Sequence, residues 1–246
     1  MKNRIGVFIV IFLTAVAFIS CDELGGADKP SNKTLAFFAF NSNTLDTMGR
    51  YNGTEPASPD YVSGQGTETV PEAIDLDRVS SQFVDVPGLT QSFAADFSVA
   101  AWINIDAPFA AGTIYPIVSK GSGGAGTAEF AFYVDSGGNL TLLLGDGGTG
   151  YTFSTGGISA GTWYYVAATV ENNNVALYIN PTESSYAAAA TDTAFTGTRA
   201  SGSDSLQIGR YHNGITEYFF DGSVDQVRIA NYAFDGYGLG VIHDEE

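Results

Sequence analysis

Apolar residues recur at every second position between residues 97 and 105, and this spacing limits the fold more than any other feature of the sequence. The alternating set is Phe97, Val99, Ala101, Ile103 and Ile105. Successive side chains of a β-strand point to opposite faces of a sheet, so a period of two gives a strand one apolar face. The segment is therefore predicted to be a strand whose apolar face is buried.

Similar runs follow along the chain and alternate with turn-forming segments. Gly, Asn, Asp and Ser, which favour turns, are concentrated in SGGN at 136–139, GDGGTG at 145–150 and ENNN at 171–174. After the N-terminal apolar segment, no window of about 12 residues has a capped helical period, and AAAA at 187–190 is predicted to be loop. The sequence thus predicts an all-β fold of two packed antiparallel sheets. Further strands are predicted at 114–119, 128–134, 140–144, 162–170, 174–180, 206–210, 216–220 and 223–230.

Six segments resemble, in order and spacing, the LamG-like domain of the concanavalin A-like jelly-roll family. They are FSVAAWINID at 97–106, YPIVSKG at 115–121, EFAFYVDSGGNLTLLL at 129–144, GTWYYVAATVENNNVALYIN at 161–180, LQIGR at 206–210 and YFFDGSVDQVRIANYAF at 218–234. LAFFAFNSNTLDTMG at 35–49 supplies the opening strand and loop. The resemblance covers residues 34–235 and implies a two-sheet β-sandwich whose concave face and rim loops often bind glycans and sometimes bind proteins.

The N-terminal 20 residues have the form of a secretory signal. Lys2 and Arg4 precede an uncharged run at 5–19, which is shorter than the roughly 20 residues that a membrane-spanning helix needs. The order Phe18, Ile19, Ser20, Cys21 resembles a bacterial lipobox, in which the cysteine is lipidated; an ordinary secreted protein is the alternative. Stable anchoring requires more than one acyl chain, and a triacylated Cys21 would supply them.

The segments on either side of the predicted domain are polar. Residues 21–33 mix Gly, Pro, Ser and charged residues, which predicts a flexible tether. Residues 236–246 are predicted to form an acidic, solvated tail. We therefore expect an exported protein that is lipid-anchored to the bacterial cell envelope, at the outer membrane or the cell surface.

Composition excludes several functional classes. The formal net charge of −17 disfavours nucleic acid as a partner, because nucleic-acid binders need clustered Lys and Arg. Cys21 is the single cysteine, so an internal disulfide and a cysteine-based zinc site are excluded. Only His212 and His243 could supply imidazole, which excludes most zinc and nonhaem iron sites. Oxygen ligands are abundant, and these suit calcium.

Aromatic residues in loops are the candidates for stacking against a sugar ring. Tyr211, His212 and Asn213 follow the LQIGR strand and combine a ring with hydrogen-bonding groups within three residues. Tyr218 and Tyr115 are further candidates. The two tryptophans instead fall within predicted strands, where we expect them to pack against the sheet with the indole N–H bonded to the backbone.

Asp225 is the carboxylate that the sequence singles out. It shares strand parity with Val227 and Ile229, which predicts that it points to the buried face. A buried carboxylate needs a cation, loop N–H donors or an arginine. The family resemblance implies a structural calcium ion held by Asp225 with help from Asn41 or Asp46, although the family's acidic residue after this aspartate is replaced by Gln226.

Catalysis is disfavoured by the motifs. Glucanases on this fold pair glutamates on one strand, and the nearest element, EAIDLD at 72–77, places only Asp75 and Asp77 on a shared face. No GxSxG motif is present. Two noncatalytic functions remain. The first is a glycan-binding module, preferred on resemblance alone. The second is an adhesion or assembly module that contacts a cell-surface protein through an exposed apolar patch.

Overall fold

The computed structural model describes residues 34–66, 71–121, 124–192 and 195–245. The predicted signal sequence, Cys21 and the tether lie outside these ranges. No helix within them has the length and apolar composition needed to cross a membrane. The strands are β1 Thr34–Phe38, β2 Asp60–Ser63, β3 Glu72–Leu76, β4 Val84–Val86, β5 Phe97–Ile105, β6 Ile114–Lys120, β7 Phe130–Asp135, β8 Leu140–Gly145, β9 Gly150–Thr155, β10 Trp163–Glu171, β11 Asn174–Ile179, β12 Ala190–Asp192, β13 Leu206–Ile208, β14 Arg210–His212, β15 Glu217–Phe219 and β16 Gly222–Ala230, and the helix α1 is Gly236–Glu245.

Two antiparallel sheets contain nearly all of these strands. The larger sheet has eight strands. Seven of them follow the order β12-β11-β10-β5-β16-β3-β2. The eighth, β1, lies on the same side of β16 as β3 and pairs with its C-terminal half, whereas β3 pairs with its N-terminal half. The smaller has six strands in the order β4-β13-β6-β7-β8-β9, and β14 and β15 form a separate hairpin. The prediction of a two-sheet antiparallel jelly roll is confirmed.

The core lies between the facing surfaces of the two sheets. The alternating residues of β5 all belong to it, from Phe97 to Ile105. Phe130 of β7 meets Phe97 from the other sheet with a ring-centroid distance of 4.9 Å, and Phe93 packs on both rings. Burial of these apolar faces is the main favourable contribution to folding, at about 25 cal/mol per Å² removed from water.

The helix α1 covers part of the outer face of the eight-stranded sheet. Leu239 and Ile242 are buried there beside Tyr165. The prediction of a solvated tail is therefore wrong: His243 lies 5.0 Å from the ring of Trp102, between centroids. The expectation for the Trp102 indole is also wrong, because its buried N–H finds no hydrogen-bond partner among the described residues.

A β-bulge in β16 reverses the predicted orientation of Asp225. Asp225 lies opposite Trp102 of β5, but Arg228 lies opposite Ala100, so three steps on β16 match two on β5. Gln226 accommodates the extra residue with a φ of 48°. Because directly opposed residues share a face, Asp225 lies on the Trp102 side, whereas Val224 remains in the core.

A buried ion pair fixes the loops beside the end of β6 and the start of β7. Lys120 Nζ lies 2.7 Å from Glu129 Oε1, and the two residues are 0% and 3% exposed. Glu129 also accepts the N–H groups of Phe93 at 2.6 Å and Gly202 at 2.9 Å, and the hydroxyl of Ser92. Lys120 donates in addition to the Gly202 carbonyl at 3.1 Å. The pair thus joins two distant loops to neighbouring strands.

We expect Lys120→Met to lower the free energy of unfolding by about 3 to 5 kcal/mol, because it leaves the Glu129 carboxylate buried without its cation. Urea denaturation measures this loss. The double variant Lys120→Met/Glu129→Gln should recover part of it. As a control, Val79→Ala at an 88% exposed position should change stability by under about 0.5 kcal/mol. A loss below about 1 kcal/mol for Lys120→Met would contradict the structural role of the pair.

Candidate functional site

The β14–β15 hairpin brings together four of the residues predicted to bind a ligand. Tyr211 and Tyr218 form a cross-strand pair. Tyr211 is 2% exposed and packs against Ala131 and Leu143 on the outer face of the six-stranded sheet. Burial, followed by the nearby phenols of Tyr133 and Tyr218, raises the pKa of Tyr211 to about 12. Tyr211 is thus a packing residue, and the prediction that its ring is available to a sugar is wrong.

The hairpin tip uses its polar side chains to shape the turn. Asn213 Oδ1 accepts the N–H groups of Ile215 at 3.0 Å and Thr216 at 2.8 Å. His212 Nδ1 accepts the N–H of residue 214 at 3.3 Å, and the amide of Asn213 contacts the Tyr218 hydroxyl at 3.4 Å. These three side chains are half-buried. The structure therefore places the predicted residues side by side, with much of their polar capacity used locally.

Tyr115 was predicted to contact a ligand, and this prediction is wrong. Its side chain is 1% exposed and belongs to the core. The hydroxyl accepts the N–H of Ala110 at 2.6 Å, and the ring lies 5.5 Å from that of Phe109. The phenol is thus an internal acceptor that fixes the loop before β6.

Asp225 accepts backbone N–H groups from a loop and from the bulge of β16, and loop N–H donors were one of the three alternatives for a buried carboxylate. Its Oδ2 accepts the N–H of Gln65 at 2.8 Å, and Oδ1 accepts the N–H of Gln226 at 2.7 Å. Gly64 is required beside it, because a Cβ there would lie 2.4 Å from Oδ2. The predicted helper Asn41 uses its Oδ1 to accept the N–H of Glu72 at 3.2 Å.

Asp46, the second predicted helper, organises its own loop. Its two carboxylate oxygens accept four backbone N–H groups, at 2.9 to 3.0 Å, from Phe37, Met48, Arg50 and Tyr51. Calcium requires six to eight oxygen ligands. In the described part of the chain, no group of three His, Cys, Asp or Glu residues could hold a metal ion. The carboxylate of Asp46 is thus used by the loop itself, and calcium at Asp46 or at Asp225 remains a prediction.

A cleft that the sequence did not reveal lies on the outer face of the eight-stranded sheet, beside α1. Its volume is about 440 Å³. Strands β10, β11 and β12 form one side, and the segment at 232–236 that leads into α1 forms the other. The polar and aromatic lining residues are Thr169, Glu171, Asn174, Tyr178, Thr191, Tyr232 and Asp235. Asp192 also borders the cleft, but it lies opposite Val175, which faces the core.

The cleft combines aromatic rings with hydrogen-bond acceptors. Tyr178 is 7% exposed in its floor, whereas Tyr232 is 42% exposed and packs edge-on against Phe234. Burial raises the pKa of Tyr178; the carboxylates of Asp235 and Glu171 raise it further, against the Thr169 hydrogen bond. This geometry suits a small polar ligand with an apolar face.

The carboxylates considered for catalysis have local partners. Asp75 accepts the Ser223 hydroxyl at 2.9 Å. Asp77 accepts the hydroxyl of Ser80 and the N–H of Val79, and these bonds lower its pKa. Asp77 therefore lies after the end of β3 and stabilises the turn that follows. The sequence had predicted that Asp77 shares a strand face with Asp75.

The sequence profile of the concanavalin A-like lectin/glucanases superfamily matches residues 78–236. The chain belongs to this superfamily. A comparison with curated protein sequences gave no significant match.

Several solved structures share the fold at low sequence identity. Domain 4 of AbnA, an extracellular GH43 arabinanase from Geobacillus stearothermophilus solved with arabinotriose, is 20% identical, with a TM-score of 0.63 over 86% of this chain and 98% of that domain. The binding domain of Paraclostridial Mosquitocidal Protein 1 is 15% identical, with a TM-score of 0.65 over 86% of this chain and 52% of that one. The ligand-binding domain of botulinum neurotoxin serotype D, solved with N-acetylneuraminic acid, is 14% identical, with a TM-score of 0.64 over 87% and 51%.

We expect Asp46→Ala to lower the free energy of unfolding by about 2 to 4 kcal/mol, because it leaves several backbone N–H groups without an acceptor. Thermal unfolding with calcium and with a chelator measures this effect, which should be the same in both conditions. Asp60→Asn, at an exposed position of β2, serves as the control. If chelation lowered the melting temperature of the wild type and not of Asp46→Ala, Asp46 would be a calcium ligand after all.

Proposed function

We propose that this protein is a noncatalytic carbohydrate-binding module that a lipidated Cys21 holds at the bacterial cell envelope. The cleft beside α1 is the proposed glycan site. The observation that carries this proposal is the presence of tyrosine rings and side-chain oxygens in one cleft on the face of a lectin-like sandwich.

The cleft matches the chemistry of a sugar. Pyranose rings have an apolar face that packs on aromatic side chains, and Tyr232 offers such a surface. Sugar hydroxyls donate to carboxylates and amides, which Glu171 and Asn174 provide. Its volume of about 440 Å³ lies within the range of about 300 to 1,000 Å³ that is usual for small-ligand sites.

Two relatives in the same fold support the proposal by analogy. Domain 4 of the arabinanase was solved with arabinotriose, and the neurotoxin domain was solved with N-acetylneuraminic acid. Fold similarity at this level of identity does not transfer a ligand. The glycan therefore has to be identified by experiment.

A protein-binding adhesion module is the alternative function. It requires a continuous exposed apolar surface. The most exposed large apolar side chains, Val79 and Ile215, belong to different loops, and Tyr186 and Tyr237 form a small exposed pair. The cleft is the more developed feature, so glycan binding is preferred.

We expect Tyr232→Ala to weaken binding of the recognised glycan by at least about tenfold, or about 1.4 kcal/mol, because a stacking surface is lost. A glycan array with the detergent-solubilised full chain finds the ligand, and calorimetry measures the affinity. Tyr218→Ala, in the hairpin, is the matched control and should bind normally. The reverse result would move the site to the hairpin, and a blank array would favour the protein-binding alternative.

We expect Cys21→Ser to release the protein from membranes into the soluble fraction, because an acyl anchor needs the thiol. Fractionation of cells, followed by immunoblotting, measures the distribution. Metabolic labelling with a fatty-acid analogue should mark the wild type and not the variant. Membrane retention of Cys21→Ser would contradict the lipid anchor.

A further inference from the structure

Arg199 is a buried cation whose charge is poorly compensated. Its side chain is 4% exposed, and its contact with a carboxylate is a long one, 3.8 Å from Nη2 to Oδ1 of Asp96. That oxygen already accepts the N–H of Asn172 at 2.9 Å. Nε and Nη1 of Arg199 are buried and have no hydrogen-bond partner among the described residues. The guanidinium has thus lost water without regaining its hydrogen bonds, which is unfavourable.

Two other basic residues show how this protein compensates a positive charge. The buried Lys120 lies 2.7 Å from a carboxylate oxygen of Glu129. Arg78 is partly exposed, and its Nη2 lies 3.2 Å from Oδ2 of Asp221. Arg199 is nearly as buried as Lys120, but its ion pair is longer than either of these. Arg199 therefore lacks an anionic partner that its position calls for.

The remaining surroundings of Arg199 do not supply this partner. The guanidinium carbon lies 6.0 Å from the centre of the Phe97 ring, which is at the limit of about 6 Å for a cation–π contact. Burial lowers the pKa of Arg199, and the negative charge of Asp96 opposes this effect. An arginine nevertheless stays charged at neutral pH, so Arg199 cannot relieve its burial by releasing a proton.

The loop that carries Arg199 is held in place at one end of the sandwich. The N–H of Ala200 donates to the carbonyl of Gly145, at the end of β8, at 2.7 Å. The guanidinium lies just beneath the surface, because the side chain of Asp96 that contacts it is 41% exposed. A small ligand would therefore reach Arg199 by a shift of the Asp96 side chain.

We infer that Arg199 forms an anion-binding site and that its ligand carries a carboxylate. A carboxylate has two oxygens that accept N–H groups, and it pairs with a guanidinium in a planar geometry. A single negative charge suits the site better than the higher charge of phosphate, because Asp96 is adjacent and the chain has a formal net charge of −17. Arg199 does not line the cleft beside α1, so this inference is independent of the proposed glycan site.

Thermal unfolding of the detergent-solubilised full chain tests this inference. Circular dichroism would follow unfolding at neutral pH in a zwitterionic buffer, with sodium acetate, sodium chloride or inorganic phosphate added at equal ionic strength. We expect about 50 mM acetate to raise the melting temperature by about 3 °C more than chloride does, because a ligand that binds only the folded state stabilises it. Phosphate should have a smaller effect than acetate.

Two arginine variants locate the site. Arg199→Met should lose the acetate effect. Without acetate, it should melt at the wild-type temperature or above it, because it removes a buried cation that lacks compensation. Arg78→Met is the matched control and should keep the acetate effect, because its ion pair with Asp221 is partly exposed and separate. A purely structural Arg199 predicts a clear loss of stability in Arg199→Met without acetate.

Methyl β-glucuronide, tested in place of acetate, identifies the source of the carboxylate. Tighter binding than acetate assigns the site to an acidic sugar, and equal or weaker binding assigns it to a small free acid.

Three outcomes would overturn the anion site. They are equal shifts with acetate and chloride, an acetate effect that persists in Arg199→Met, and a marked loss of stability in Arg199→Met without acetate. A phosphate effect that exceeds the acetate effect would overturn the assignment to a carboxylate. None of these results bears on glycan binding at the cleft, which Tyr232→Ala tests separately.

Discussion

Contact between the inner faces of the two sheets determines where every other part of this protein lies. Phe97 and Phe130 meet across the sandwich, and the alternation of β5 supplies a continuous apolar surface behind them. Because these faces must be buried together, the residues that alternate with the core residues along each strand point outward. The outer faces are therefore where the chain adds α1, the β14–β15 hairpin and the cleft.

Alternation along the sequence was sufficient to predict most of the fold. The nine predicted strands all have counterparts, because most of them contain apolar residues that are buried at regular spacing. Among the strands that were not predicted, β2, β9 and β12 lie at sheet edges, and their polar or exposed residues give no clear period. The helix α1 was missed because Gly236, Gly238 and Gly240 lower its helix propensity and leave a short apolar pattern, although its apolar residues pack well on the sheet.

The candidate site was harder to predict than the fold, because its residues come from separate segments. The cleft joins the ends of three strands to the 232–236 segment, and no local motif links Glu171 with Tyr232. For the hairpin, sequence reasoning grouped residues that do lie together but could not foresee their burial, so Tyr211 was predicted to be available although it is packed. For Asp225, a parity argument failed because a single inserted residue shifts the period.

The bulge in β16 also governs which changes of length the strand can tolerate. Val224 and Val227 both face the core only because Gln226 takes up one residue between them. Deleting Gln226 would leave Val224 and Val227 two positions apart, so plain alternation would keep both halves of β16 in register with β5 and with their own neighbours, β3 and β1. A deletion elsewhere in the strand would instead move the side chains between the deleted position and the bulge to the other face of the sheet.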